Sequence, residues 1–315
     1  MSHAHDHGSE PAGHSHGHTH APPKDFSAAF KIGIGLSLTI VVLQAVFGYV
    51  ANSMALMADA GHNLSDVLSL VVAWGAANLA RRPATERYTY GLRGSSIIAA
   101  LFNAVFLLVV MGGISWEAIR RFYEPAVVEG RIVMAVAAAG IVISGFSAYL
   151  FASGRDRDLN LRGAFLHMLS DALVSVGVVV AGGLIALTGW HWLDPAVTLV
   201  IVAVIVYGTW GLLRESVGMA LAGVPAGIDA GKVATYLSGL PGVSRIHDLH
   251  IWPMSTTEVA LTCHLVMPGG HPGDGFTMDA AKALHDTFAI EHTTLQIELS
   301  EDADCALEQG HATPA

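Results

Sequence analysis

The chain has 315 residues, of which 52% are hydrophobic and only 13% charged, whereas an ordinary soluble domain carries about a quarter charged residues. That balance and the 34 glycines argue against a soluble globular protein and for a multi-span membrane protein. The formal net charge of −10 is unevenly placed: from Arg214 onward 13 acidic residues face 4 basic ones. This argues against a nucleic-acid partner there and suits a soluble part that attracts cations.

In chain order, residues 1–25 form a low-complexity tail, and seven of the first 20 residues are histidine. Gly, Pro and Ser between them leave nothing to bury, so the segment is expected to be disordered and to capture metal weakly. The N-terminus lacks the pattern of a secretory signal, so the first apolar segment is expected to remain as a spanning helix. Six apolar stretches follow, at 28–50, 54–80, 95–121, 131–154, 160–188 and 192–213. Each is long enough to cross a bilayer as a helix. With the N-terminus inside, ten Lys and Arg flank the inner ends and three, Arg120, Arg121 and Arg131, the outer ends. That asymmetry favours both termini in the cytoplasm; a bacterial inner membrane is the expected location.

Residues 214–302 change character. Gly227–Gly239 has helical spacing, and Val243–Trp252 and Thr256–Met267 are rich in β-formers on either side of Pro253-Met254-Ser255. Gly275–Ile290 reads as a helix and Thr293–Leu299 alternates like a strand. The fold class is therefore an all-α, six-helix transmembrane domain (26–213) followed by a small α+β domain of order α-β-β-α-β (214–302) and a short tail (303–315). Two cysteines, Cys263 and Cys305, make no disulfide framework.

The chemistry is carried by ionisable residues inside the spans, each costly in lipid and so a functional hypothesis by default. The second span holds His62-Asn63-Leu64-Ser65-Asp66 and the fifth His167-Met168-Leu169-Ser170-Asp171. A spacing of four puts each His and Asp on one helical face. Imidazole and carboxylate both bind Zn²⁺, and two pairs supply the four ligands of a tetrahedral site. At 1.5 Å per residue the first pair lies roughly 12 and 18 Å below the outer surface. In a core about 30 Å thick the second lies roughly 20 and 14 Å below it, so the pairs overlap in depth. Asp59 shares the face of His62 and Asp66 and is an accessory candidate. Gln44, Asn63, Asn78 and Asn103 read as helix-packing residues.

A four-ligand shell leaves no open position for water, and no H-e-x-x-h-type zinc protease motif occurs, so the reading is a carrier and not an enzyme. Metal binding needs neutral His and ionised Asp, so protons compete with metal for the same atoms. Exchange of metal for protons by alternating access is the mechanism expected. The alternative is a membrane metal sensor or store that does not transport.

Four segments together carry a resemblance to the cation diffusion facilitator family. They are Ala58–Asp66, His167–Asp171, Trp192-Leu193-Asp194-Pro195 and His247-Asp248-Leu249-His250-Ile251-Trp252. The resemblance implies a homodimer that exports Zn²⁺, and also Cd²⁺, Co²⁺ or Ni²⁺, in exchange for protons, with the two-His, two-Asp set of the zinc-preferring type. It also implies a metallochaperone-like C-terminal domain that binds regulatory metal, for which His250, His264, His292, Glu298, His247 and His285 stand at family-like positions. His250 and His264, on adjacent expected strands, are the leading pair. Arg81–Gly94 has no His or Asp, so no metal site is expected in that loop. Arg93 resembles a family position that pairs with an acidic residue after the sixth span, here Glu215.

Overall fold

The computed structural model describes residues 26–80, 82–152 and 159–300; of 26–34, 70, 73, 74, 76–78, 80, 150–152 and 159–167 it describes the backbone only. Six helices come first: α1 (Phe26–Val50), α2 (Met54–Ala80), α3 (Ser95–Tyr123), α4 (Gly130–Ala152), α5 (Leu159–Thr188) and α6 (Leu193–Ala220). Among the described residues, α3, Gly130–Tyr149 of α4, Met168–Thr188 of α5, and α6 are each long and apolar enough to span a membrane. Their outward side chains are large and apolar, including Phe102, Val109, Val142, Val180 and Val204. Such surfaces suit lipid and not water. α6 runs to Ala220, past the expected end at 213. Arg214 and Glu215 end the apolar run, but a charge that ends a lipid-soluble stretch does not end a helix.

The start of α2 is held from two directions. Asp194, buried in the first turn of α6, accepts hydrogen bonds from Met54 N at 2.7 Å, Ala55 N at 3.4 Å and the Ser53 hydroxyl. These amides have no partner within their own helix, and a carboxylate there also opposes the positive end of the helix dipole. Just before them Asn52 turns through the left-handed region at φ 54°, which Asn tolerates better than most residues. Arg121 of α3 closes that turn, donating to Asn52 O at 2.5 Å and Oδ1 at 2.7 Å while pairing with Glu117 at 3.3 Å. Arg120 pairs with Glu117 and Glu124. Two of the three cationic residues that break the loop-charge asymmetry thus have local acidic partners.

α4 and α5 approach so closely that a Cβ on Gly130 would lie 2.5 Å from Gly182 O, and one on Gly182 would lie 2.9 Å from Gly130 O. Small residues at a membrane helix crossing permit this contact.

The second part comprises α7 (Ala230–Ser238), β1 (Arg245–Pro253), β2 (Val259–Val266), α8 (Asp274–Phe288) and β3 (His292–Glu298). β1 and β2 are antiparallel, β2 and β3 parallel, in the order β1-β2-β3. The core of this part is Val233 and Leu237 from α7, Ile251, Leu261, Cys263 and Leu265 from the sheet, and Leu284 from α8. Period-two alternation sends Thr262 and His264 to the sheet face away from that core. The β1–β2 turn reaches the start of α3: Arg93 Nη1 pairs with Glu258 Oε1 at 2.8 Å, and Thr256 N donates to Ser96 Oγ at 3.1 Å. Within the chain Arg93 is therefore held by Glu258, an acidic residue of the sheet turn.

Candidate metal centre

On α2, Asp59, His62, Asn63 and Asp66 follow one another at helical spacing and share a face. His62 Nε2 lies 3.7 Å from Asp66 Oδ2 on its own helix and 3.5 Å from Asp171 Oδ1 on α5. Three of the four expected ligands therefore converge from two helices. Asp171 is the most enclosed, with 7% of its side chain exposed, against 22% for His62 and 31% for Asp66. His167 lies on α5 one turn before Asp171, and its side chain is outside the described residues. Asp59 is 1% exposed; Gln44 Nε2 of α1 donates to its Oδ2 at 2.5 Å, and Ser175 of α5 adds a further hydrogen bond.

A second cluster lies on the far face of the sheet from the helices. His247, His264 and Glu298 present ligand atoms within 4.8 Å of one another. Glu298 Oε2 lies 2.8 Å from His247 Nε2, and its Oε1 lies 2.9 Å from His264 Nδ1. Asp248 extends the cluster, with Oδ2 3.5 Å from His264 Nε2 and Oδ1 2.8 Å from His250 Nε2. For Glu298, partial burial raises the carboxyl pKa. The hydrogen bond and charge of His247, with help from Gln296 and His264, outweigh that and hold it below the usual carboxylate range.

Models of known families add to this geometry. The cation efflux transmembrane domain matches residues 30–219, and the cation efflux protein cytoplasmic domain matches residues 225–300. The chain belongs to the cation efflux family. This is the cation diffusion facilitator group that the motifs resemble. This cation efflux protein is 36% identical over 307 residues, 96% of each chain, to the metal cation efflux system protein CzcD of Cupriavidus metallidurans. It is 35% identical over 303 residues to the zinc transporter ZitB of Escherichia coli, covering 94% of this chain and 96% of that one. It is 36% identical over 267 residues to a cadmium, cobalt and zinc/H(+)-K(+) antiporter of Bacillus subtilis, covering 82% and 84%. Like its family, the chain is a multi-pass membrane protein with a small cytoplasmic-type α+β domain.

In this cation efflux protein the sheet regroups the six histidine and glutamate candidates. His247, not His250, faces His264 across the β1–β2 ladder; His250 faces Thr262 and reaches the cluster through Asp248. The cause is a bulge between His247 and His250, with Asp248 at φ 51°. One extra residue lets two side chains three apart share a face, which a regular strand forbids. His292 is at the opposite end of β3 from Glu298, its ring 5.7 Å from Tyr90. His285 is exposed on α8, 3.0 Å from Asp286. Neither joins the cluster. Asp248 was absent from the sequence-derived set, and the only signal for it was its place between two histidines. The His-rich tail, Cys305 and the Asn78 side chain lie outside the described residues.

Proposed function

We propose that this chain exports divalent metal cations, with Zn²⁺ the principal substrate and Cd²⁺, Co²⁺ or Ni²⁺ accepted, in exchange for protons by alternating access. The observation that carries this reading is the approach of His62 Nε2 on α2 to Asp171 on α5, at 3.5 Å, with Asp66 3.7 Å away. One imidazole between two carboxylates on separate helices is a cation receptor. His167, one turn before Asp171, is the fourth ligand. Two nitrogens and two oxygens suit Zn²⁺ and leave no position for catalytic water. The names of the relatives, which include cation efflux, zinc transport and proton antiport, support the ion class and the exchange.

The donors work only when His is neutral and Asp ionised, so each proton taken up weakens the metal. Cytoplasmic metal enters, the two helix faces reorient, and protons arriving from the outer side displace it. Asp59, held by Gln44 and Ser175, is an accessory carboxylate that adds negative field behind the ligands. The protein acts as a homodimer in a bacterial inner membrane with both termini cytoplasmic, as the loop charges favour. His247, His264 and Glu298, with Asp248 and His250 beside them, are a donor set suited to Zn²⁺ and form a regulatory site.

Zn²⁺ uptake into everted proteoliposomes tests the reading. Asp66→Ala and Asp171→Ala are each expected to lower the Zn²⁺ rate at least about tenfold, as loss of a ligand essential to binding requires. Dissipating the pH gradient is expected to slow the wild type. Wild-type rates in both variants would remove the site; uptake indifferent to the gradient would remove the proton exchange.

A further inference from the structure

We infer that Gln44 and Asn103 are positioning residues for the metal site, set on either side of the ligand stripe of α2 so that together they fix its rotation and with it the choice of ion. The inference rests on the transport reading above.

Both amides are nearly inaccessible, with Gln44 1% and Asn103 7% exposed. Each uses a donor and an acceptor on α2. Gln44 of α1 donates through Nε2 to Asp59 Oδ2 at 2.5 Å and accepts through Oε1 from Asn63 Nδ2 at 2.9 Å. Asn103 of α3 accepts through Oδ1 from Ser65 Oγ at 3.2 Å and donates through Nδ2 to Ser69 Oγ at 2.5 Å. Each amide thus bridges a pair of α2 residues four apart, 59 with 63 and 65 with 69.

The placement of those pairs around the helix is what matters. At 3.6 residues per turn each residue advances about 100°. The midpoint of His62 and Asp66 then lies about 60° from the midpoint of the Gln44 pair and about 60°, in the opposite sense, from that of the Asn103 pair. The ligands lie between two clamps that come from different helices. Turning α2 by one residue either way breaks all four bonds at once. In lipid the freed polar groups have no water to turn to.

Ligand chemistry alone does not choose among Zn²⁺, Cd²⁺, Co²⁺ and Ni²⁺, because imidazole and carboxylate accept them all. Geometry decides, and the clamps set the geometry of the α2 half of the site. A loosened α2 admits the larger Cd²⁺ more readily and holds Zn²⁺ less well.

The test measures initial uptake of Zn²⁺ and of Cd²⁺ against concentration in proteoliposomes of the full-length chain. Wild type is compared with Gln44→Met and Asn103→Leu, which keep volume and remove the hydrogen bonds, and with Ser65→Ala, which removes only a partner hydroxyl. The expected result is a Zn²⁺ KM raised about tenfold in the first two. The Cd²⁺:Zn²⁺ preference should shift at least about threefold toward Cd²⁺, with a smaller shift of the same sign in Ser65→Ala. Unchanged KM and unchanged ion preference, with only the maximal rate reduced, would overturn the inference, since that is how a smaller folded fraction behaves. Should the larger variants not be recovered, Ser65→Ala decides alone by the same criterion. A wild type that moves neither ion would instead overturn the transport reading.

Discussion

A carboxylate buried in an apolar span must be answered by donors, and Asp59 is answered by Gln44 at 2.5 Å and by Ser175. Its neighbours His62 and Asp66 lie near Asp171, so one stripe of α2 carries both Asp59 and the candidate ligands. At this scale the motif spacing made His62, Asp66 and Asp171 legible, because four residues is about one helical turn. The same reasoning could not find the roles of Gln44 and Asn103, since an amide's use depends on which helix it meets. Cys263 shows the reverse case, a reactive residue type made inert by its surroundings. Burial, with the charge of Asp248, pushes its thiol up to about 12. At pH 8 about one molecule in ten thousand then carries the thiolate. In a Cys305→Ser background, a maleimide should leave the native protein unlabelled over minutes and label it promptly after denaturation. Rapid labelling of the native form would contradict that burial.

Among the elements, the helices are set by local sequence and joined by a few close contacts. α4 and α5 meet at Gly130 and Gly182, where a Cβ would lie under 3 Å from opposing backbone. Gly182→Val should therefore cost about 1–3 kcal/mol by overpacking. It should lower the recovery of folded protein and its Tm in detergent; a Tm equal to the wild type would show that the crossing can spread. α7 begins at Asp229, whose Oδ1 accepts from Lys232 N at 3.1 Å. That backbone hydrogen bond, aided by the Lys232 charge, holds the Asp229 carboxyl below its ordinary value of 3.8. A depressed folded-state pKa gives stability that is present above the unfolded value and lost as pH falls through the folded one. Asp229→Ala should lower the Tm of the C-terminal domain transition at neutral pH, and the gap should close in acid. A gap independent of pH would assign the effect to helix propensity. The extension of α6 to Ala220 and the bulge at Asp248 escaped the pattern of residues because neither follows from hydrophobic period.

Over the whole molecule, the β1–β2 turn is pinned to α3 through Arg93–Glu258 and Thr256–Ser96. α3 also supplies Asn103 to α2, so the sheet and α2 share a neighbour. The Arg93–Glu258 pair is partly exposed, and pairs of that kind contribute at most about 1 kcal/mol. Arg93→Glu should slow Zn²⁺ transport by no more than about fivefold, given that magnitude, and the swap Arg93→Glu with Glu258→Arg should recover most of the loss. A swap that behaves like the single variant would show that the charges act elsewhere.

Hydropathy and charge asymmetry were enough to read a helical membrane protein with a small α+β domain, and two motifs of spacing four were enough to single out the faces of α2 and α5 that meet, because these depend on composition and on the period of a single helix. The partners were not legible there: Asp194 at the α2 start, Glu258 beside Arg93, and the facing of His247 with His264 across the sheet. Each of those contacts joins residues far apart in the chain. Only the packing of one element against another brings their donors and acceptors within bonding distance, and a single helix or strand carries no record of what will face it.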